Sequence, residues 1–312
     1  MTDISLRPAD RVEITVLVDN YLDIFVQPKT PADRRLPFDP CRHLLAEHGL
    51  SCLVRVFSGK QEHAILMDAG LSRECMAWNA RQLGIDLTAI DAVVLSHGHF
   101  DHIGGLEAAF AGAGHQVPLV LHPDAFLERR MNGPKGIALL PQLDAVALRR
   151  AGADILKRPG PSALASGHLL VTGEVERVMP FETGMPGMEM LNGGAWVTDP
   201  IKDDQAIVVN VKDRGLVVLS GCAHAGIVNT VKYAQKITGI EKVHAILGGF
   251  HLTGPAFASR IQPTIDAIQE IGPDYVVPMH CTGWDAINRF MSAMPKECIL
   301  NTVGTTYVFP AP

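Results

Sequence analysis

One short segment constrains the fold and the chemistry of this chain more than any other. It reads His97-Gly98-His99-Phe100-Asp101-His102 and directly follows an apolar strand predicted over residues 91–96. Three imidazoles and a carboxylate at this density are typical of a metal site, because a metal ion needs several nitrogen and oxygen ligands that converge. The segment therefore predicts a metal centre at the end of a buried strand.

The spacing within this segment suggests two adjacent sites. His97 and His99 are two residues apart on extended backbone, so their side chains project to the same side and can bind one ion. Asp101 and His102 lie where the chain turns into a helix, so they point toward a second ion. Neither pair completes a site, and further ligands must come from elsewhere in the chain.

Three later histidines are candidates for the missing ligands, because each follows a predicted strand and is flanked by small residues: His224, His251 and His280. Small neighbours let the backbone approach closely and leave room for a ligand. Asp68 also ends a strand, and we expect it to accept a hydrogen bond from the distal N–H of His97 or His99.

Asp19, Asn20 and His122 lie at strand ends from which a side chain could reach a substrate. Arg129 and Arg130 lie at the end of a helix predicted over residues 123–130. Their pattern favours a solvated helix face over a phosphate-binding pair. Substrate specificity is expected to depend on two predicted loops, residues 27–40 and 131–142.

Strand and helix signals alternate along the chain and predict a layered α/β protein. The second half of the chain shows the same alternation of strands and helices as the first. This predicts a single domain, residues 1–312, made of two similar halves, about 1–185 and 186–312. Formal net charge is −6 and no run of five like charges occurs, which argues against nucleic acid and anionic membranes as partners. The sequence carries no signal for an oligomeric state.

The sequence also indicates a cytoplasmic location. Its most apolar stretches have only strand length, far below the ~20 residues of a membrane-spanning helix. The N-terminal residues 1–11 are polar, with no apolar core typical of a signal peptide. Six cysteines occur and none forms a C-x-x-C pair, a usage typical of reduced thiols.

Residues 97–102 resemble the signature of the metallo-β-lactamase superfamily. Asp68-Ala69-Gly70 and Val276-Val277-Pro278-Met279-His280 support the resemblance, which covers most of the chain. Further motifs resemble one subgroup, named for the archaeal 7,8-dihydropterin-6-methyl-4-(β-D-ribofuranosyl)aminobenzene-5'-phosphate synthase. These motifs are Asp19-Asn20, Glu47-His48-Gly49-Leu50-Ser51, Gly221-Cys222-Ala223-His224-Ala225-Gly226, Gly249-Phe250-His251-Leu252 and His280-Cys281-Thr282-Gly283.

The resemblance implies a four-layer αβ/βα sandwich, in which two mixed sheets lie face to face with helices outside and metals at the sheet edge. It implies that His97, His99 and a later histidine hold one metal, and that Asp101, His102 and His280 hold the other. An aspartate usually bridges the two metals in this superfamily.

This chain departs from the superfamily pattern at two places. Gly221-Cys222 replaces the expected Gly-Asp, and Asp203-Asp204 occupies the region where a third histidine is common. His224, His251, Asp204 and Cys222 are therefore the candidates for the remaining ligands, with Cys222 either a bridging thiolate or a buried free thiol.

These residues predict a hydrolase that uses one or two divalent metal ions, Zn first and Mn or Fe next, to activate water against an ester or phosphoester. Asp101 is the residue placed in catalysis, and the expected partner is a small-molecule substrate, with or without a phosphate. Two alternatives stay open. One is a transferase of the dihydropterin-linked synthase type that releases pyrophosphate, and the other is a non-catalytic or redox metal-binding protein.

Overall fold

Two mixed β-sheets form the centre of the protein in a computed structural model that describes residues 5–133 and 136–312. Residues 1–4 of the polar N-terminal segment and residues 134–135 of the predicted loop 131–142 lie outside the described residues. The first sheet has eight strands, in the spatial order β2 (Asp33–Arg34), β18 (Thr306–Pro310), β1 (Arg11–Val18), β3 (Ser51–Ser58), β4 (Gln61–Met67), β5 (Ala92–Val94), β6 (Val117–Leu121) and β9 (Ala153–Lys157).

The second sheet has six strands and packs against the first. Its order is β10 (Ser162–Leu164), β11 (Leu169–Val171), β14 (Ala206–Val211), β15 (Gly215–Ser220), β16 (Val243–Gly249) and β17 (Tyr275–Met279). Antiparallel pairs at one side give way to parallel pairs at the other in both sheets. The chain thus passes from the first sheet to the second between β9 and β10 and returns for β18. Its division into two similar halves at residue 185 stays a prediction.

Helices cover the outer faces of both sheets. Those on the first sheet's side are α1 (Cys75–Gln82), α2 (Phe100–Ile103), α3 (Leu106–Ala113) and α4 (Ala145–Ala151). Those on the second sheet's side are α5 (Ile227–Thr238), α6 (Ala258–Ile271) and α7 (Trp284–Ala293). The longest has 14 residues, and none of the described helices combines the length and apolar character needed to cross a membrane.

Strand β15 shows why the layers stack in this order. All six of its residues are buried. Val217 and Leu219 join the core between the sheets, whereas Leu216 and Val218 pack toward the helices. Because side chains alternate across a strand, a strand that is apolar at every position must be covered on both faces. The predicted four-layer sandwich is confirmed.

A third sheet corrects two predictions. It has the order β13 (Ala195–Thr198), β12 (Met188–Asn192), β7 (Arg129–Gly133) and β8 (Gly136–Leu139), all antiparallel. The helix predicted over residues 123–130 is only a short turn followed by β7, and the loop predicted over residues 131–142 contains β7 and β8. Residues 129–133 contain no strong strand former, so pairing with β12 decides their conformation.

Candidate metal centre

The predicted ligands converge on one edge of the two facing sheets. Asp68 follows β4 and residues 97–102 follow β5, while Cys222, His251 and His280 follow β15, β16 and β17. β4 is parallel to β5, and β15, β16 and β17 are parallel neighbours. The carboxyl ends of parallel strands meet at the same edge, so sheet order alone brings these loops together.

His97, His99 and His224 form the first cluster. The Nε2 atom of His97 lies 3.0 Å from Nδ1 of His99 and 3.2 Å from Nε2 of His224, and all three rings are buried. A ring nitrogen carries at most one hydrogen, so His97 Nε2 can donate in only one of these contacts. A cation shared by the rings would satisfy all of them.

Asp101, His102, Cys222 and His280 form the second cluster. His102 Nε2 lies 3.2 Å from the Cys222 sulfur and 3.8 Å from Asp101 Oδ1. The other carboxylate oxygen of Asp101 lies 3.3 Å from His280 Nε2. One ligand atom from each of the four residues lies within 4.8 Å of all the others. Carboxylate, imidazole and thiolate together form a donor set that suits Zn²⁺.

Cys222 belongs to both clusters. Its sulfur also forms a compact group with His97 and His224, and another with His251 and Cys281, again within 4.8 Å. Gly221 permits this position, because a Cβ there would lie 2.1 Å from the hydroxyl oxygen of Ser96. The end of β15 can therefore pack this closely against the loop after β5 only because residue 221 is glycine and has no side chain.

The ring nitrogens themselves test whether a cation fits. Among the described residues, none offers a hydrogen-bond partner to His99 Nε2, His224 Nδ1 or His251 Nδ1, and all three atoms are buried. Buried polar side-chain atoms nearly always have a partner. Unpartnered nitrogens gathered at one edge, next to a carboxylate and a thiol, fit divalent cations.

The protonation states of the first cluster and of Asp101 also suit metal binding. Burial lowers the pKa of His97 and His224 well below the usual range, and it lowers the pKa of His99 to about 3. These rings are neutral at pH 7, as metal ligands must be. Burial tends to raise the pKa of Asp101, but the neighbouring His102 and His280 outweigh it and hold that pKa well below its usual range.

The Cys222 thiol behaves differently from these groups. Burial raises its pKa well above the usual range, so the sulfur requires a neighbouring cation to ionise. A buried thiol of this kind is inert as a nucleophile. Thiolate character at Cys222 would accordingly accompany metal binding.

Asp68 lies behind His102, and the prediction that it contacts His97 or His99 directly is wrong. Its Oδ2 atom accepts hydrogen bonds from His102 Nδ1 at 2.7 Å and from the Ser96 hydroxyl at 2.7 Å. That hydroxyl in turn lies 3.0 Å from His97 Nδ1. Asp68 therefore fixes His102 directly and His97 through Ser96, with Nε2 of both rings facing the centre.

Replacing Asp68 with asparagine is expected to weaken metal affinity about 10- to 100-fold, because the amide no longer fixes the tautomer of His102. Competition with a chromogenic chelator measures this. Asp274→Asn is the matched control, because Asp274 pairs with a histidine outside the metal centre. Its Oδ2 atom lies 2.6 Å from Nδ1 of His244. Equal metal affinity in both variants would contradict the role of Asp68.

Asp19 and Asn20 hold the His280 loop. Asp19 Oδ1 accepts a hydrogen bond from the His280 backbone N–H at 2.8 Å, and its Oδ2 accepts one from Asn301 at 2.6 Å. Asn20 Oδ1 lies 3.1 Å from His280 Nδ1. This contact leaves His280 Nε2 free to face Asp101, so both residues position a predicted ligand.

Arg129 is buried, so the prediction of a solvated helix face is wrong for it. Its guanidinium pairs with Asp199 at 2.6 Å and with Asp203 at 2.5 Å, and all three side chains are almost fully buried. Neighbouring Arg130 pairs with Glu189 at 2.5 Å near the surface. Both arginines lie on strand β7 and have protein carboxylates as partners.

Residues 199–205, which we call the bracing loop, support the two loops that carry the first cluster. Asp203 Oδ2 accepts a hydrogen bond from the backbone N–H of Gly98, between His97 and His99, at 2.8 Å. Asp204 Oδ2 accepts one from the N–H of Ala225, next to His224, at 2.8 Å. Asp204 therefore contacts the backbone of the His224 loop and belongs to none of the compact ligand groups among the described residues.

Strained backbone marks the same edge. Asp68, Ala223, His251 and His280 have φ between +44° and +59°, a conformation that non-glycine residues seldom adopt. Such strain, about 1–3 kcal/mol per residue, persists only where surrounding contacts enforce it. Three of the four are site residues and Ala223 adjoins His224, so these contacts enforce unusual side-chain directions at this edge.

The structure separates one candidate from the site and adds two residues. His122 accepts a hydrogen bond from the Asp124 N–H at 3.1 Å and caps a short turn, so it is not brought to the clusters. His48 lies 3.4 Å from Asp101 Oδ2 and its side chain is 53% exposed. Cys281 lies beside Cys222. His48 and Cys281 lie within motifs visible in the sequence, but neither was predicted to be a site residue.

Comparison with known proteins places these observations in a family. The profile of the metallo-β-lactamase superfamily matches residues 47–188. A curated relative from Methanocaldococcus jannaschii, named 7,8-dihydropterin-6-methyl-4-(beta-D-ribofuranosyl)-aminobenzene-5'-phosphate synthase, is 34% identical over 258 residues, 81% of this chain and 86% of the relative.

Solved structures agree on the fold. Tm1679, described as a metal-dependent hydrolase of the β-lactamase superfamily, superposes with a TM-score of 0.75 at 24% identity and covers 96% of this chain and 99% of its own. A diphosphatase from the PhnP family gives a TM-score of 0.50 at 12% identity, with 96% and 98% coverage. From the fold, the matched profile and the identity to the archaeal relative, we conclude that this chain belongs to the metallo-β-lactamase superfamily.

Proposed function

We propose that this protein is a metal-dependent hydrolase of small ester or phosphoester substrates. One observation carries the proposal: five imidazoles, one carboxylate and one thiol from three separate loops converge on one buried edge, where several ring nitrogens have no partner among the described residues. The chain's membership in the superfamily is consistent with this chemistry.

In this proposal, His97, His99 and His224 hold one divalent cation, and Asp101, His102 and His280 hold a second, with Cys222 between them. His251 and Cys281 extend the group around Cys222. When bound, such cations supply Lewis-acid chemistry that acidifies water and polarises an ester or phosphoryl oxygen. Zn²⁺ suits the donor set best, with Mn²⁺ or Fe²⁺ as alternatives.

The residues around the cations have separate roles in the proposal. Asp68 and Asn20 fix the rings of His102 and His280. Asp101 is ionised and lies between His48 and His280, so it is placed to accept a hydrogen bond from the attacking water. His48 is the most exposed of these groups and is placed to contact the substrate.

A synthase activity is the second candidate, favoured by the name of the archaeal relative. In such a reaction an aminobenzene ribofuranosyl phosphate would displace pyrophosphate from a dihydropterin. The same side chains would then stabilise a pyrophosphate leaving group. Both candidates can accommodate a phosphate-bearing small molecule, and they differ in whether water is consumed.

Replacing His99 with alanine is expected to abolish hydrolysis and to lower bound metal, because His99 Nε2 is a buried nitrogen without another partner among the described residues. Elemental analysis of protein purified with Zn²⁺, Mn²⁺ or Fe²⁺ measures the metal. His244→Ala is the matched control, since His244 is a buried histidine outside the clusters. Unchanged metal content in His99→Ala would contradict the ligand assignment.

Substrate assays separate the two candidate functions. Hydrolysis of bis(4-nitrophenyl) phosphate, 4-nitrophenyl phosphate or 4-nitrophenyl acetate by the metal-loaded protein, lost in His99→Ala, supports the hydrolase. Pyrophosphate release that requires both a dihydropterin pyrophosphate and an aminobenzene ribofuranosyl phosphate supports the synthase instead. Activity in neither assay, with full metal content, would count against both.

A further inference from the structure

A cavity of about 780 Å³ lies beside the metal centre but is separate from it. Four segments line it: residues 159–161, residues 174–177, the bracing loop at Pro200, Ile201 and Lys202, and one side of α5. Among the described lining residues none is a predicted metal ligand. The volume lies within the range of about 300–1,000 Å³ that is usual for small-molecule sites.

The walls of this cavity are mainly apolar. Val175 and Ile201 line it and are buried, and Ile237 and Tyr233 of α5 line it and are half-buried. Prolines at 159, 161 and 200 add rigid apolar surface on the other sides. A site of this kind suits the apolar body of an organic molecule.

The rim of the cavity carries an excess of positive charge. Lys236 pairs with Glu176 at 2.5 Å, and Lys202 lies 3.9 Å from Glu174. Arg177 has no ion-pair partner among the described carboxylates and donates to the carbonyl oxygen of Pro200. Three cations against two carboxylates leave one positive charge to complement an anion, and Arg177 presents it.

The cavity wall is continuous with the support of the metal centre. Pro200, Ile201 and Lys202 line the cavity, and the same bracing loop continues to Asp203 and Asp204. Those two carboxylates accept hydrogen bonds from the backbone N–H groups of Gly98, between His97 and His99, and of Ala225, next to His224. A molecule that contacts this loop in the cavity therefore acts on the first cluster through one short segment.

Ile201 shows that this loop is held under strain. Its φ is +52°, although it is β-branched and buried. Asp199 Oδ1 accepts a hydrogen bond from its backbone N–H at 2.7 Å. A β-branched residue in this conformation is an outlier that surrounding contacts must enforce. The strained residue lies where the cavity wall meets the supporting carboxylates.

We propose that this cavity is a second ligand site, for a small organic anion with an apolar body and one carboxylate, and that ligand binding there stiffens the loops of the metal centre. The carboxylate pairs with Arg177, and the apolar body packs between α5 and the proline-rich walls. By linkage, a ligand that binds better when the bracing loop is ordered stabilises that ordered form.

Isothermal titration of the metal-loaded 312-residue chain tests the site with two probes, octanoate for an alkyl body and 1-naphthoate for an aryl body. At least one probe is expected to bind saturably at one site per chain. Arg177→Gln should bind it about tenfold more weakly, because one charge-assisted pair is lost. Arg158→Gln is the matched control, an exposed arginine near this cavity that does not line it.

Each outcome of the titration decides the assignment. Saturable binding that weakens in Arg177→Gln but not in Arg158→Gln supports the site. No saturable binding of either probe, or equal affinity in wild type and Arg177→Gln, would overturn it. Thermal unfolding of both variants checks that they are folded, as expected for exposed side chains.

Amide hydrogen exchange tests the link to the metal centre. The N–H groups of Gly98 and Ala225 donate to the bracing loop and report on it directly. Saturating probe should slow their exchange in the wild type, and the same concentration should slow it less in Arg177→Gln, which is only partly occupied. Equal exchange in the wild type with and without a bound probe would overturn the coupling.

Discussion

Cys222→Ala is expected to lose metal from both clusters at once and to be inactive. The Cys222 sulfur lies 3.2 Å from His102 Nε2 and belongs to compact groups with residues of each cluster. Zinc sites with four ligands contribute about 10–16 kcal/mol, so one ligand is worth on the order of 3 kcal/mol, or ~100-fold in affinity. Elemental analysis and a phosphodiester assay measure the two losses.

Two further cysteine variants make this prediction specific. Cys298→Ala removes a buried thiol from the core beneath the helices and should keep full metal content. Cys222→Asp supplies the carboxylate usual at this position in the superfamily and should recover metal binding. If Cys222→Ala retains as much metal as Cys298→Ala, the thiol is only a packing group.

Arg129→Met is expected to lower the free energy of unfolding by about 3–5 kcal/mol, because it leaves two buried carboxylates without their cation. Asp199 and Asp203 are each within 2.6 Å of the guanidinium and are fully enclosed. The variant should also loosen the loop around Gly98, which Asp203 supports. Urea denaturation measures the stability.

The adjacent arginine provides a matched control for this variant. Arg130 lies on the same strand, but its pair with Glu189 is about one fifth exposed. Solvent screens such a pair, so Arg130→Met should cost no more than about 1 kcal/mol. Equal losses in the two variants would mean that the buried pairs contribute no more than a surface contact.

Much of the site could be predicted from the sequence because its signals are local. Residues 97–102 concentrate imidazole and carboxylate groups within one loop, and His224, His251 and His280 each follow an apolar strand. Parallel strands then bring those loops to one edge, so the alternation of strands and helices sufficed to predict which loops meet. Their role as metal ligands stays a prediction.

Other features depend on contacts between distant segments and have no local signal. The partner of Asp68 depends on how β4 and β5 align, which places its carboxylate against His102. Arg129 follows a helix-like pattern, but strand pairing with β12 places it among the carboxylates of the bracing loop. The central position of Cys222 likewise depends on how the two sheets face each other.

Strand β18 lies between β1 and β2, and the hydroxyls of Thr15 and Thr306, 291 residues apart, lie 2.9 Å from each other. During synthesis on the ribosome, β1 can therefore pair with β3 early, but it can pair with β18 only after almost the whole described chain has been made. Contacts of such long sequence separation slow folding. Until β18 is synthesised, one edge of β1 stays unpaired, and an exposed strand edge of this kind promotes aggregation of the nascent chain.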